Sequence, residues 1–290
     1  MNNVQRSTFN AQRAKGMLWG LVVGDCLGSP IQFTSKDGHK WITEMEPCPT
    51  FRVPAGYWTD DSSMAMCIME SFARLGKYEL ADIGNNFVKW YYHGFMSSKD
   101  GEAFDIGGAT SDACMAIRTG SFVNGYEESQ GNGSIMRFAP SYLLAKAEAE
   151  RADLDDAFAR QIMFEISDIT HASKRVEQVC CRFADILDRH IEGIRTKEIS
   201  AYSTREEVNN SGWAVSTLEA ALWAFNTTSS FEEGMIAAVN LGGDSDSIGA
   251  VYGQIAGAYY GFSAIPERWY KVVKMWEKVD KLIENFLGKL

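Results

Sequence analysis

Seven glycines at four-residue intervals constrain this 290-residue chain more than any other feature. Gly16, Gly20 and Gly24 form one set; Gly249, Gly253, Gly257 and Gly261 form the other. Four-residue spacing puts each set along one face of a helix. Glycine costs a helix interior roughly 1 kcal/mol per position relative to alanine, so a row of it demands a return. Close approach of two helix backbones supplies one. Neither segment is apolar enough for a membrane helix pair. The two sets are predicted to lie on central, closely packed helices, each a candidate partner of the other.

The remaining apolar pattern is helical as well. Met64, Ile68, Phe72 and Leu75 recur at helical spacing, as do Val176, Val179, Cys180, Phe183, Leu187, Ile191 and Ile194. A C-terminal run, Trp269, Val272, Val273, Trp276, Val279, Ile283, Phe286 and Leu287, reads the same way. Strict alternation is absent, and the six prolines sit at helix edges or in loops. The expected fold is all-α, with roughly ten or more helices. Residues 1–12 read as a flexible N-terminal arm and 13–290 as one domain. Stretches without periodicity, at about 29–58, 94–104, 120–134 and 195–211, are long enough to suggest functional loops.

Composition narrows the functional classes. The chain carries 28 Lys+Arg against 38 Asp+Glu, a net charge of −10, which disfavours nucleic acid as a partner. The apolar run Met17–Val23 falls far short of a membrane span and ends in Gly24-Asp25 with no small-residue cleavage site. Six cysteines lack the look of a disulfide framework. Reduced thiols, a cytoplasmic setting and no membrane partner are expected.

Two acidic clusters then stand out. Trp58-Thr59-Asp60-Asp61-Ser62-Ser63 opens the helix that carries Met64, and Gly242-Gly243-Asp244-Ser245-Asp246-Ser247 opens the helix of the second glycine set. Asp, Ser and Thr at a helix start can be simple caps. Two clusters exceed that need, and an oxygen-only donor set suits a hard divalent cation. Spacing leaves both readings open. Gly131-Asn132-Gly133-Ser134-Ile135-Met136-Arg137 is a glycine loop entering a helix, able to present backbone N–H groups to phosphate or ribose, or merely to turn and cap. Asp105-Ile106-Gly107-Gly108 and Thr170-His171 admit the same two kinds of reading. Four histidines with no pair at metal spacing argue against zinc.

Taken in order, Gly20-x3-Gly24-Asp25-x-Leu27-Gly28, Thr59-Asp60-Asp61-Ser62, Asp105-Ile106-Gly107, the glycine loop through Arg137 and Pro140, Thr170-His171 and Gly242-Gly243-Asp244-x-Asp246-Ser247 resemble the ADP-ribosylglycohydrolase family. The resemblance implies a compact, single-domain orthogonal helical bundle with two Mg²⁺ or Mn²⁺ ions. Their ligands would be Thr59, Asp60, Asp61, Asp244, Asp246 and Ser247. Gln32, Asp105, Gly107, Gly108, Gly131, Asn132, Gly133, Ser134, Met136 and His171 would line an ADP-ribose cleft, with Asp61 or Asp105 as the catalytic carboxylate. The family often carries glutamate in a Pro-x-Glu context where this chain has Pro30-Ile31-Gln32. Glutamine keeps the shape without charge or proton acceptance.

The expected activity is metal-dependent removal of ADP-ribose from modified protein side chains, arginine favoured. The substrate partner would be an ADP-ribosylated protein. An alternative is an immunity or inhibitor-type protein, with weak or no hydrolase activity, that occludes an ADP-ribosyltransferase through the same cleft or an added arm, the loose residues 1–12 and the loop around 36–57 being the places for it.

Overall fold

The two glycine sets meet. Helix α1 (Ala11–Gly28) and helix α10 (Ser245–Tyr260) run antiparallel with their backbones in contact. A Cβ added at Gly16 would lie 2.5 Å from the carbonyl oxygen of Gly257; at Gly20, 2.1 Å from that of Gly253; at Gly24, 2.1 Å from that of Gly249. Gly28 continues the seam against Ser245, at 2.3 Å. Only glycine permits this separation. Gly261, expected as a rung, ends α10 instead, with φ +81°. Both helices are buried around nearly their whole circumference, from Gly16 to Gly28 in α1 and from Ser245 to Ala258 in α10. A helix apolar on all sides belongs at the centre of a core.

The computed structural model describes residues 10–195 and 200–290. Between the central pair lie α2 (Asp60–Leu75), α3 (Leu80–His93), α4 (Gly108–Ile117), α5 (Phe138–Ala152), α6 (Asp156–Asp168), α7 (Lys174–Ile191), α8 (Ala214–Thr227) and α9 (Phe231–Val239); α11 (Glu267–Tyr270) and α12 (Trp276–Leu287) follow. Among the described residues there is no β-strand, only isolated bridges at Cys48–Val53 and Gly131–Trp213. The fold is all-α and a single compact domain, as the sequence predicts. The outer helices are amphipathic: α7 buries Val176, Val179, Cys180, Phe183 and Leu187 and exposes the opposite face.

Three expectations need correction. The sequence reads residues 1–12 as an arm, but Asn10 caps α1 by accepting from the Gln12 and Arg13 N–H groups, so residues 11 and 12 are helical; residues 1–9 lie outside the described residues, as do 196–199 of the 195–211 loop. Ile194 falls beyond the end of α7 and is exposed. The C-terminal run is two helices rather than one. The backbone N–H of Lys274 donates to Gly56 at 2.9 Å, and Met275 sits at φ +51°. Gly56 packs so closely on Val272 that its Cβ would lie 2.1 Å from that carbonyl oxygen. A tertiary contact thus breaks a pattern that local periodicity reads as continuous.

The six cysteines are free, five of them buried. No helix among the described residues is long and apolar enough to cross a membrane.

Candidate active site

The antiparallel seam decides where the chemistry sits. It delivers the C-terminal end of α1 beside the N-terminal turn of α10, and α2 begins against the same point. Both acidic clusters therefore face one cavity of about 390 Å³, within the range of small-molecule sites. Asp60, Asp61, Asp105, Asp244, Asp246 and Ser247 line it, opposite Gly107, Gly108, Gly131, Asn132, Gly133, Met136 and His171. A larger depression of about 700 Å³ lies around Lys146. There the cation is already engaged, Lys146 pairing with Asp156 at 2.8 Å and Asp188 at 2.7 Å, so that depression is not the better candidate.

The capping reading of the acidic clusters fails. Neither Thr59 nor Asp244 caps its helix with its side chain. The cap of α2 comes from another helix. The Asp25 carboxylate, buried on α1, accepts from the Thr59 N–H at 2.9 and 3.1 Å and from the Ser62 N–H at 3.0 Å. It also accepts from the Thr59 hydroxyl at 2.9 Å and the Ser62 hydroxyl at 2.6 Å. With the Thr59 and Ser62 amides satisfied from α1, the side chains of Asp60 and Asp61 are left to face the cavity. Asp25 had no role assigned from sequence. Its signal was present, since it stands one residue past a seam glycine within Gly24-Asp25-x-Leu27-Gly28.

The two clusters touch through Asp61. Its Oδ2 accepts from the Ser247 hydroxyl at 3.3 Å and lies 3.4 Å from the Thr59 hydroxyl. Its Oδ1 is buried without a partner, and so is Oδ1 of Asp246. Asp244 accepts a short hydrogen bond from the Asn132 amide, which also donates to Thr217 at 3.0 Å. Burial pushes all of these carboxyls upward. Asp60, Asp61 and Asp246 go well above the ordinary carboxylate range, and neighbouring carboxylates push them further. Asp244 and Asp105 rise mainly through burial. Burial lifts Asp25 to about 6 against its four donors. Such a set, with unpartnered oxygens and mutual repulsion, can take a hard cation. Among the described residues no group of three or more His, Cys, Asp or Glu side chains stands ready-made to hold a metal ion, so the acidic side chains would have to draw together around one.

The remaining sequence-named residues divide. Asp105 projects from the loop before α4 with φ +58°, a costly conformation for a non-glycine residue. Its Oδ2 accepts from Gln32 Nε2 at 3.0 Å. Gln32 is buried behind Asp105 and leaves its own Oε1 unpartnered. Gly108 begins α4 with open space where a side chain would be, and at Gly107, just before it, a Cβ would meet only Thr110 Oγ1, at 4.0 Å. Gly133 is required by His171: a Cβ there would lie 2.5 Å from the ring. Ser134 turns away from the cavity, its hydroxyl donating to Ser167 at 2.7 Å. Thr59 is buried beneath the cluster rather than on the cavity wall. Exposed Phe33, also on the wall, was not anticipated. It sits at φ +64°, held by its N–H to Gly243 at 2.6 Å and by the Gly243 N–H to Thr34 at 2.8 Å.

An all-α domain whose central glycine seam gathers buried carboxylates beneath a glycine-loop cleft defines a class, and the comparisons identify it. A family model described as ADP-ribosylglycohydrolase matches residues 6–290. The chain belongs to the ADP-ribosylglycohydrolase family, a hydrolytic one. Within it, the chain is 33% identical over 299 residues to ADP-ribosylarginine hydrolase Tri1 of Pseudomonas putida (strain GB-1), covering 96% of this chain and 78% of that protein. It is 28% identical to ADP-ribosyl-(dinitrogen reductase) glycohydrolase of Rhodospirillum rubrum, over 96% and 95% of the two chains. A solved structure of an ADP-ribosylglycohydrolase-related protein complex matches with a TM-score of 0.81 at 31% identity, over 96% of this chain and 98% of that one.

Proposed function

We propose that this protein hydrolyses the N-glycosidic bond between ADP-ribose and arginine side chains of modified proteins, with two divalent cations in the site. The observation that carries the reading is the meeting of both acidic clusters in one cavity, with Asp61 Oδ1 and Asp246 Oδ1 buried and unpartnered. The similarity to an ADP-ribosylarginine hydrolase supplies the choice of arginine. No observation favours the transferase-occluding alternative, and the comparisons do not support it.

Thr59, Asp60, Asp61, Asp244, Asp246 and Ser247 would hold Mg²⁺ or Mn²⁺, with water completing the coordination. Bound there, the ions supply charge compensation and a water of lowered pKa. The protein's own groups do the rest. Gly107 and Gly108 leave the α4 N-terminus bare, so its first-turn N–H groups meet anionic oxygens without obstruction. Asp105 or Asp61 takes the proton of the attacking water. Gln32 orients Asp105 through its 3.0 Å hydrogen bond. Asn132 ties the glycine loop to Asp244 and so holds the substrate wall against the acidic wall.

The test is release of free ADP-ribose from ADP-ribosylated arginine, in chelator and with Mg²⁺ or Mn²⁺ restored. Asp60→Ala and Asp246→Ala should each abolish most of the activity, and the double variant should be scarcely worse, because groups acting as a unit are non-additive. Full activity in excess chelator, or no release with either metal, would refute the reading.

A further inference from the structure

Arg137 and Thr170 are deeply buried, and the reaction outlined above uses neither. Arg137 is 1% exposed and Thr170 0%. The guanidinium lies over the Phe87 ring at 4.9 Å, and its Nη2 donates to Thr170 Oγ1 at 2.8 Å. That same oxygen lies 2.7 Å from His171 Nδ1. His171 is the cavity-wall imidazole whose Nε2 packs on Gly131 and Gly133.

Proton counting fixes the direction of this chain. Arginine can only donate, so Thr170 Oγ1 accepts from Nη2. Its own hydroxyl proton then needs an acceptor. Among the described residues, its hydrogen-bond contacts are Arg137 and His171 alone. If Nδ1 carried the imidazole proton, the hydroxyl proton would be stranded in a dry site. An orphaned buried donor is costly enough to favour the other arrangement by about tenfold or more. Thr170 therefore donates to a bare Nδ1, and the ring proton resides on Nε2. Burial and the charge of Arg137 push the imidazole down to about 3, so the ring is neutral at physiological pH.

We propose that Arg137 and Thr170 are positioning residues that lock His171 in its Nε2–H form, making it a fixed hydrogen-bond donor to an acceptor oxygen of ADP-ribose at the glycine loop. The proposal rests on the ADP-ribose reading of the cleft but adds a device to it. A neutral imidazole otherwise distributes its proton over both nitrogens, and the wrong tautomer would present a lone pair to an anionic oxygen. The buried arginine, out of reach of solvent, imposes the choice through one hydroxyl.

The experiment uses the full chain with ¹⁵N-labelled histidine. A long-range ¹H–¹⁵N spectrum of the metal-free protein should show the His171 proton on Nε2. Thr170→Val, nearly isosteric, should give a tautomer mixture and weaken ADP-ribose binding about tenfold in Mg²⁺, as expected for losing one hydrogen bond. KM should rise by a similar factor with kcat little changed, because the contact persists from ground state to transition state. Thr170→Ser, which keeps the hydroxyl, should restore both readouts. A wild-type spectrum with the proton on Nδ1 would overturn the proposal even if the valine variant fails to fold. So would a folded Thr170→Val protein that keeps both its tautomer and its ADP-ribose affinity. The spectrum needs neither substrate nor metal. ADP-ribose release with the proton on Nδ1 would sink the relay alone, and a locked Nε2–H without release would sink the functional reading alone.

Discussion

Gly253→Ala tests the seam on which everything else depends. Helix propensity alone predicts that the substitution stabilises, by up to about 1 kcal/mol. The packing predicts the reverse. The new Cβ would lie 1.9 Å from the Gly20 carbonyl oxygen and 2.2 Å from its carbonyl carbon. Comfortable contact needs about 3.5 Å, so α1 and α10 must part by more than ~1 Å. Overpacking a core costs about 1–3 kcal/mol, and the upper end applies because both colliding groups are backbone and cannot rotate away. The net expectation is a loss of about 2 kcal/mol or more, read as a lower urea midpoint at unchanged m-value. The parting also propagates to Gly28 and Ser245, beside the acidic clusters, so the stabilisation given by saturating Mg²⁺ should shrink in the variant. Gly20→Ala should behave alike. The double variant should cost less than the sum, since the first alanine has already opened the gap. Gly108→Ala is the control: its Cβ meets nothing within 4 Å. A Gly253→Ala protein as stable as wild type would refute the seam, and with it the account of how the two clusters are held together.

Three further outcomes follow from the site. Asp25→Asn should lower stability by about 2–4 kcal/mol, because an amide cannot accept from all four donors at the start of α2; an unchanged melting temperature would show that the cross-helix cap is dispensable. Gln32→Glu removes the donor to Asp105 and sets a carboxylate 3.0 Å from another, so the metal-free protein should lose about 2 kcal/mol and gain more from Mg²⁺ than wild type does; equal Mg²⁺-induced shifts would oppose this. His190 is a buried base whose pKa burial lowers from 6.5 to about 4, so it binds a proton more readily when unfolded, and stability is lost as pH falls through 6.5 toward 4. Between pH 7 and 5 that amounts to about 2 kcal/mol, and His190→Phe, packed among Phe225 and Tyr259, should remove it from the difference between denaturation midpoints at the two pH values.

What the sequence could and could not disclose divides along physical lines. Spacing within one helix is local, so the glycine rows, the amphipathic faces and the acidic helix starts were legible. Partnership is not local. The rows could be matched to each other only as a suggestion, and Gly261 was counted as a rung because four-residue spacing cannot distinguish an interior glycine from the one that stops the helix at φ +81°. The C-terminal run failed for the same reason: a hydrogen bond from Lys274 to Gly56 breaks it, and residue 56 is invisible to a periodicity taken over 269–287. Side-chain direction was equally hidden. Ser134 sits in the glycine loop yet points to Ser167.

Asp25 shows most plainly why the assembly of the site, unlike its acidic residues, lay beyond local reading. Taken alone, an aspartate near the end of α1 resembles poor design, since a negative charge near a helix C-terminus opposes the dipole. Its purpose appears only when α2 is placed against it. Thr59 and Asp60 are of the residue types that usually cap a helix start with their own side chains. With Asp25, four donors are satisfied by one carboxylate from outside the helix. The side chains at the start of α2 are then free to face the cavity. The geometry needed for that exchange, α1 lying within hydrogen-bond reach of the first turn of α2 while its glycine face presses on α10, requires α1 to be buried on all sides. The same demand that fills α1 with glycine and small apolar residues therefore also places the carboxylate that keeps Asp60 and Asp61 available. Core packing and site assembly are one constraint here, carried by residues 16–28.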